Sequence, residues 1–283
     1  MRPGLRRTGM KRKDFHDIPV ALAVFLALGI AAPVSARKQP PKTPPGMARC
    51  DNPIIPSATI QHHRGELFEY DLELVGFSLG KATITAWQQG SFQGQSVTEY
   101  RAWIEPDSLI SAVSAIEAQA FAIFPESSFT PVQSLTRYKY RGTSVEESQQ
   151  RSEGGKKLQT TVSRNGKQSR RNKEYSIPVH DYLSGFLLLR GLPAQSAGCT
   201  VIYGEGRAYT VWITPKGKDR LDTSSGKSNF DRYELRYGSD GSRTIRTVEI
   251  WMTPGPEPIP FQAKGESRAS PVVKLTGYKK GRG

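Results

Sequence analysis

Thiols, imidazoles and long apolar runs are scarce in this chain. Its 283 residues include two Cys, four His and four Met, and hydrophobic side chains make up 36% of the total. Cys50 and Cys199 lie too far apart in sequence for a CxxC redox motif or a zinc knuckle. His16 falls in the leader, His180 is distant, and His62 and His63 are adjacent, so in an extended segment their side chains point oppositely. No metal site is expected from them. Gly204-Glu205-Gly206 lacks the third glycine and the following helix of a dinucleotide loop. Gly154-Gly155-Lys156-Lys157 lacks the Walker spacing and its hydroxyl residue. Neither supports a cofactor, and both read as hairpin turns. The one apolar run, Ile18 to Ala32, is shorter than the about 20 residues of a spanning helix and contains Pro19. No transmembrane span is expected after processing. With 27 Gly and 20 Pro, a largely helical protein is excluded in favour of a turn-rich one.

What the chain does have is positive charge, with 40 Lys and Arg against 26 Asp and Glu, a net +14. Arg2, Arg6, Arg7, Lys11, Arg12 and Lys13 precede the apolar run, and Val34-Ser35-Ala36 follows it with the small residues that a signal peptidase reads. Residues 1–36 are therefore expected to be a cleavable signal peptide, starting at Met1 or at Met10. Arg6-Arg7 is out of the usual register for twin-arginine export, and Cys50 is too far downstream for a lipoprotein. The expected location is the periplasm, or the medium if secreted. Removing six bases and two acids with the leader leaves 34 against 24, a net +10. In an oxidising compartment an even number of thiols favours a Cys50–Cys199 bridge, the alternative being two unlinked cysteines.

Residues 37–61 carry Pro40, Pro41, Pro44, Pro45, Pro53 and Pro56 and read as a disordered Pro-rich leader. From Glu66 to Leu74, Phe68, Tyr70, Leu72 and Leu74 share one face and Glu69, Asp71 and Glu73 the other, the alternation of a half-buried strand. Further short strands follow: Ala82 to Trp87, Ser96 to Ile104, Phe129 to Arg141, Leu158 to Ser163, Tyr175 to Val179, Thr200 to Tyr203, Ala208 to Ile213, Tyr233 to Tyr237, Thr244 to Trp251, Ile259 to Lys264 and Val272 to Gly277. Turns such as Asn165-Gly166 and Gly204-Glu205-Gly206 separate many of them. One segment has a helical period, Asp181 to Arg190, with Asp181 as N-cap and Gly191-Leu192-Pro193 as its stop. A weaker helical or irregular piece is read over Pro106 to Ala120. The expected fold is mainly β: antiparallel strands in an open, clamp-like or rolled barrel-like sheet with one central helix packed on it. This domain spans 62–279, as one unit or as two sub-halves meeting near residue 180, and a basic tail follows at 280–283.

Certain of these segments match a known pattern. Gly65-Glu66-Leu67-Phe68-Glu69-Tyr70-Asp71-Leu72, Gly80-Lys81-Ala82-Thr83-Ile84, Asp181-Tyr182-Leu183-Ser184-Gly185-Phe186-Leu187-Leu188-Leu189-Arg190, Gly206-Arg207-Ala208-Tyr209 and Ile250-Trp251-Met252 followed by Pro258-Ile259-Pro260 resemble a bacterial exported family, domain of unknown function 3108. The resemblance implies an envelope protein of antiparallel β structure without an established activity or cofactor. In many such proteins the tryptophan strand runs into an acidic turn, whereas here Thr253 to Pro258 keeps only Glu257.

A hydrolase would need Ser184 as nucleophile and His180 as base, but the third member and the strand-to-helix elbow are absent. Asp181 as a cap, Ser184 as a close helix–sheet contact and Arg190 as a polar tie to the sheet form the better reading, and no catalytic residue is assigned. Phe68, Tyr70, Trp87, Tyr209 and Trp251, with Asp181, Ser184 and Arg190, are candidates to line a groove, although a plain core uses the same side chains. Arg164, Lys167, Arg170, Arg171 and Lys173 gather around Asn165-Gly166, and Lys274, Lys279, Lys280 and Arg282 form a second focus. Export removes nucleic acid as the default partner and leaves lipid, lipopolysaccharide and other anionic envelope components. The expected function is a non-catalytic binding module for such a component. The alternative is a structural or assembly factor that docks on another envelope protein through the basic hairpin.

Overall fold

A computed structural model describes residues 50–56, 62–74, 76–107, 117–140, 143–239, 245–266 and 271–282. The expected signal peptide and most of the Pro-rich leader lie outside them. Along the chain run β1 (Leu67–Leu74), β2 (Phe77–Phe92), β3 (Gln95–Pro106), β4 (Glu117–Pro125), β5 (Gln133–Tyr140), β6 (Thr143–Ser152), β7 (Lys157–Arg164) and β8 (Lys167–Glu174). Then follow β9 (Val179–His180), the helix α1 (Tyr182–Arg190), β10 (Gly198–Gly204), β11 (Arg207–Thr223), β12 (Gly226–Ser239), β13 (Arg246–Met252), β14 (Pro260–Gly265) and β15 (Pro271–Lys279).

All fifteen strands belong to one sheet, ordered β8 to β1, then β15 down to β9. Successive strands pair as antiparallel hairpins, and β1 pairs with β15 to join the two runs. Among the described strands only β9 and β10 pair in parallel, through Val179 with Val201 and His180 with Ile202, and Pro53 forms a further isolated parallel bridge with Cys199. Because β8 and β9 stand at opposite ends of the order, the sheet does not close into a hydrogen-bonded barrel among the described residues.

Its ends overlap instead. The concave face gathers Phe68, Tyr70, Leu72, Ile84, Tyr100, Phe124, Ile202, Leu235 and Ile250 into the main core around α1. A second, smaller core joins Leu158 of β7 to Val179, Val201, Tyr203 and Ala208. Side chains alternate across a strand, so Val201 and Tyr203 lie on the face of β10 opposite to Ile202. The end of the first run of strands therefore lies over the outside of β10 and β11, as in a rolled sheet.

α1 occupies the concave side, with all nine residues buried. At about 1.5 Å per residue it is about 13 Å long, and contacts at its two ends fix how it lies. At its start the Tyr182 ring lies on Gly204, where any β-carbon would come within 2.1 Å of it. One turn on, Gly185 meets the Ile202 side chain, and Phe186 sets its ring edge-to-face with Phe68 at 5.0 Å. At its end Arg190 reaches Glu66. Room for the helix comes from alanines on the inner faces of β2, β3 and β4: Ala82, Ala86, Ala102, Ala118, Ala120 and Ala122, all buried.

Two expectations are revised here. Glu117 to Ala120 is strand rather than helix, because Ala118, Ala120 and Ala122 face the core at period two; residues 108–116 of that piece lie outside the described residues. Residues 50–56 of the Pro-rich segment are ordered: Ile54 donates to the carbonyl of Cys199 at 2.8 Å, and Cys199 donates to that of Asn52 at 2.9 Å. Cys50 and Cys199 form a disulfide with Cα atoms 5.5 Å apart, which fixes this segment along the edge of β10 that also carries β9. Such a bridge across a long loop contributes about 2–4 kcal/mol.

Candidate functional site

β7 and β8 are joined by Asn165-Gly166, both in the left-handed region at φ 48° and 81°. Two successive positive φ values make the type I′ turn that suits a two-residue hairpin. The Asn165 carboxamide oxygen also accepts from the Ser144 amide at 2.9 Å, which ties the turn to β6. β8 reads Lys-Gln-Ser-Arg-Arg-Asn-Lys-Glu and is exposed along its whole length. With no apolar side chain to bury, only its pairing with β7 holds it in the sheet.

The hairpin brings Arg164, Lys167, Arg170, Arg171 and Lys173 together but uses them differently. Arg171 donates to the carbonyl of Gly206 at 3.4 Å, and the Lys173 ammonium sits 5.4 Å from the centre of the Tyr203 ring. Both cations fasten the overlap. Arg164 hydrogen-bonds Tyr138. Lys167 and Arg170 have no ion-pair partner among the described residues.

Beneath the hairpin, β6 supplies what a neighbouring strand would otherwise give to β9 and β10. Gly206 donates its amide to Glu147 at 3.0 Å. Gln149 donates to Glu147 at 2.8 Å and to the carbonyl of Tyr203 at 3.3 Å. Arg151 donates to the carbonyl of Val179 at 2.9 Å and to the Ser134 hydroxyl at 3.1 Å, and also bonds Gln149. Burial raises the Glu147 pKa, and it lowers that of Arg151 against the pull of Asp181 and Glu147. These side chains are the seam of the roll. Nothing in the sequence marks them, because both faces of β6 are polar and no alternation shows.

Asp181 caps α1 by accepting from the Ser184 amide at 2.7 Å, and Ser184 answers with a hydroxyl bond to Asp181 at 2.6 Å. The Asp181 amide donates back to that hydroxyl at 3.2 Å. The neighbouring His180 ring contacts the Thr130 hydroxyl at 3.4 Å. Both of the Ser184 hydroxyl's bonds thus run to Asp181, as a capping box requires. Arg190 binds Glu66 through two 2.8 Å bonds, both side chains buried. Its guanidinium lies 4.9 Å from the centre of the Phe68 ring, and the Tyr278 hydroxyl donates to Glu66 at 3.0 Å. Burial, the largest single influence, lowers the Arg190 pKa, yet the Glu66 charge, its hydrogen bonds and the nearby Tyr100 and Tyr278 together raise it.

The aromatic candidates do not meet in one groove. Phe68 and Tyr70 are core, Tyr70 donating to the carbonyl of Pro260 at 3.1 Å. Trp251 is buried and donates to Asp219 at 3.1 Å. Tyr209 packs half-buried against the main core. Trp87 stands apart, half exposed on the convex side. Glu257, the one acid left in the turn after the tryptophan strand, pairs with His63 at 3.2 Å.

These features define a rolled antiparallel β-sheet protein filled by one capped helix, with a basic hairpin overlapping its own sheet. The chain belongs to the family described as protein of unknown function DUF3108, whose model matches residues 69–275. No curated protein matches it. Among solved structures it is similar to a β-barrel-like protein of domain of unknown function DUF1849 from Brucella abortus, at 11% identity and a TM-score of 0.49, over 77% of this chain and 99% of that one. A protein described as exported, with a YmcC-like fold, from Bacteroides fragilis aligns at 6% identity and a TM-score of 0.35, over 81% of this chain and 100% of its own. A protein described as a lipoprotein, from Parabacteroides distasonis, aligns at 9% identity and a TM-score of 0.32, over 81% and 100%. Likeness this low bears on no function.

Proposed function

We propose that this is an exported, non-catalytic binding module of the bacterial envelope, acting in the periplasm or after secretion, whose partner is an anionic component such as a phosphate-bearing lipid headgroup or glycan. The observation that carries the reading is the β7–β8 hairpin, in which β8 is exposed throughout, Lys167 and Arg170 have no ion-pair partner among the described residues, and three more cations lie beside them. Because α1 takes up the concave face, the reading puts the ligand on the outer surface rather than in an apolar groove. Several cations at one edge attract an anionic surface through a summed potential that salt weakens.

Sedimentation with vesicles containing phosphatidylglycerol or lipopolysaccharide tests it. Wild-type protein attaches at low salt and is released as salt rises. Lys167→Glu with Arg170→Glu, which disturbs neither the seam nor the overlap, lowers attachment at least about tenfold. Equal attachment by this variant contradicts the reading. A second reading, docking on another envelope protein, draws on the outer edge of β8, which pairs with no other strand in the sheet order. Co-purification of a protein that the same variant releases, without vesicle attachment by the wild type, favours it.

A further inference from the structure

A second basic surface is formed by β2, the chain entering β1 and the end of β15, none of them part of the hairpin, and nothing in it depends on the hairpin reading. In the β2–β3 pairing Ala86 faces Tyr100 and Gln88 faces Glu99, so Trp87 is the extra residue of a β-bulge. Bulges re-aim side chains, and this one leaves the indole 49% exposed. Trp87 borders a cleft of about 570 Å³ whose other walls are Arg64, Gly65, Gln89 and Lys279 to Arg282. Four of these side chains are cations and none is acidic. Among the described residues Arg64, Lys279, Lys280 and Arg282 have no ion-pair partner.

The cleft is built rather than incidental. Gly65 donates to the carbonyl of Ala86 at 2.7 Å, and Arg282 donates to that of Arg64 at 2.9 Å, so both segments are stitched beside Trp87. Gly281 lies so close to the 63–66 backbone that a β-carbon there would come within 2.4 Å of the His63 carbonyl oxygen. Below, Tyr278 is held by the buried Glu66, which fixes the strand that carries Lys279. Residues 280–282 of the expected basic tail are thus part of a wall. Arg101 stacks over the Trp87 ring at 4.4 Å and does not line the cleft, whereas the half-exposed Trp87 does.

We propose that this cleft binds a phosphorylated or carboxylated sugar, the pyranose stacking on Trp87 and the anion held by Lys279, Lys280, Arg64 and Arg282. An open aromatic face suits the apolar face of a sugar ring. Unpaired lysines and arginines suit phosphate and carboxylate oxygens. Gln89 donates through its amide nitrogen to the carbonyl of His62, which leaves its oxygen to accept from a sugar hydroxyl.

The test is ligand-observed NMR titration of the whole protein with glucose 6-phosphate, inorganic phosphate and glucose in parallel. Glucose 6-phosphate should bind at least about tenfold tighter than either of the others. Trp87→Ala should cost about tenfold, and Lys279→Gln with Lys280→Gln about tenfold together with much of the salt dependence. Lys167→Glu with Arg170→Glu should leave this binding unchanged, so failure here and failure of the hairpin reading are separate results. A further arm uses vesicles carrying lipid A: attachment that needs Trp87 supports the site with a glycolipid as source, and binding of soluble sugar phosphate alone supports it with a free glycan. Inorganic phosphate binding as tightly as glucose 6-phosphate, or Trp87→Ala binding like wild type, overturns the proposal. So does Trp87-dependent attachment to phosphatidylglycerol vesicles without any sugar-phosphate binding, which makes the patch a membrane contact instead.

Discussion

The buried Glu66–Arg190 pair ties the far end of α1 to the chain entering β1. An ion pair out of water gives little net stability when complete, yet losing one partner strands a charge, at about 3–5 kcal/mol. Arg190→Met should therefore lower unfolding free energy in urea by about that amount. Adding Glu66→Leu should restore most of it, since the uncompensated carboxylate is gone. A single variant costing under about 1 kcal/mol would mean that the pair is not buried as described. His62 and His180 set the pH response. Burial, aided by Arg190 for one and Arg151 for the other, lowers both from 6.5 to about 4. Between those values the unfolded chain binds more protons than the folded one, so stability present above pH 6.5 is lost as pH falls to about 4. The raised Glu147 acts in the opposite sense, taking up its proton earlier in the folded state. Urea midpoints should fall from about pH 7.5 to about pH 4.5, and His180→Asn should flatten part of that slope. An unchanged midpoint across the range contradicts neutral buried imidazoles.

At the scale of elements, legibility followed the apolar pattern. α1 was readable because Asp181, Ser184 and Gly191 mark its ends and its interior is continuously apolar, and β1 because Phe68, Tyr70 and Leu72 alternate with acids. β6 and β8 were not, since their sequences are polar on both faces and pairing with neighbours makes them strands. β4 is obscured for another reason. The helical reading over Pro106 to Ala120 draws on apolar residues up to Ile116 and runs into the start of β4, whose inner face is alanine and shows no alternation of large side chains; only the presence of α1, contributed from much later in the chain, explains why small residues line that face. The candidate site divides likewise. Charge density picked out Arg164 to Lys173, but that Arg171 and Lys173 clamp the overlap depends on the Gly204–Gly206 turn lying beneath them. The helix–sheet contact gives its own prediction. Gly204→Ala puts a methyl group into the Tyr182 ring, and overpacking of this kind costs about 1–3 kcal/mol. Adding Tyr182→Leu should recover part of the loss in thermal melts, and no loss in Gly204→Ala would show that the ring does not lie on this residue.

For the whole molecule, one continuous sheet is rolled so that β7 and β8 lie outside β10 and β11. Long-range joints hold the roll: β1 with β15, the Glu147–Gln149–Arg151 seam and the Cys50–Cys199 bridge. Of these only the bridge has a mark in the sequence, its pair of cysteines in a chain read as exported; the other two join residues from distant parts of the chain with no local signal. Their consequence is that helix and side chains fill the inside, while cations collect outside. Hydrogen–deuterium exchange with and without lipopolysaccharide vesicles at low salt tests this most directly. The account predicts slowed exchange in 157–174 and unchanged exchange in 183–190 and 200–204. Slowed exchange in α1 and the inner face of β10, with the hairpin unaffected, would place the ligand inside the roll and contradict it.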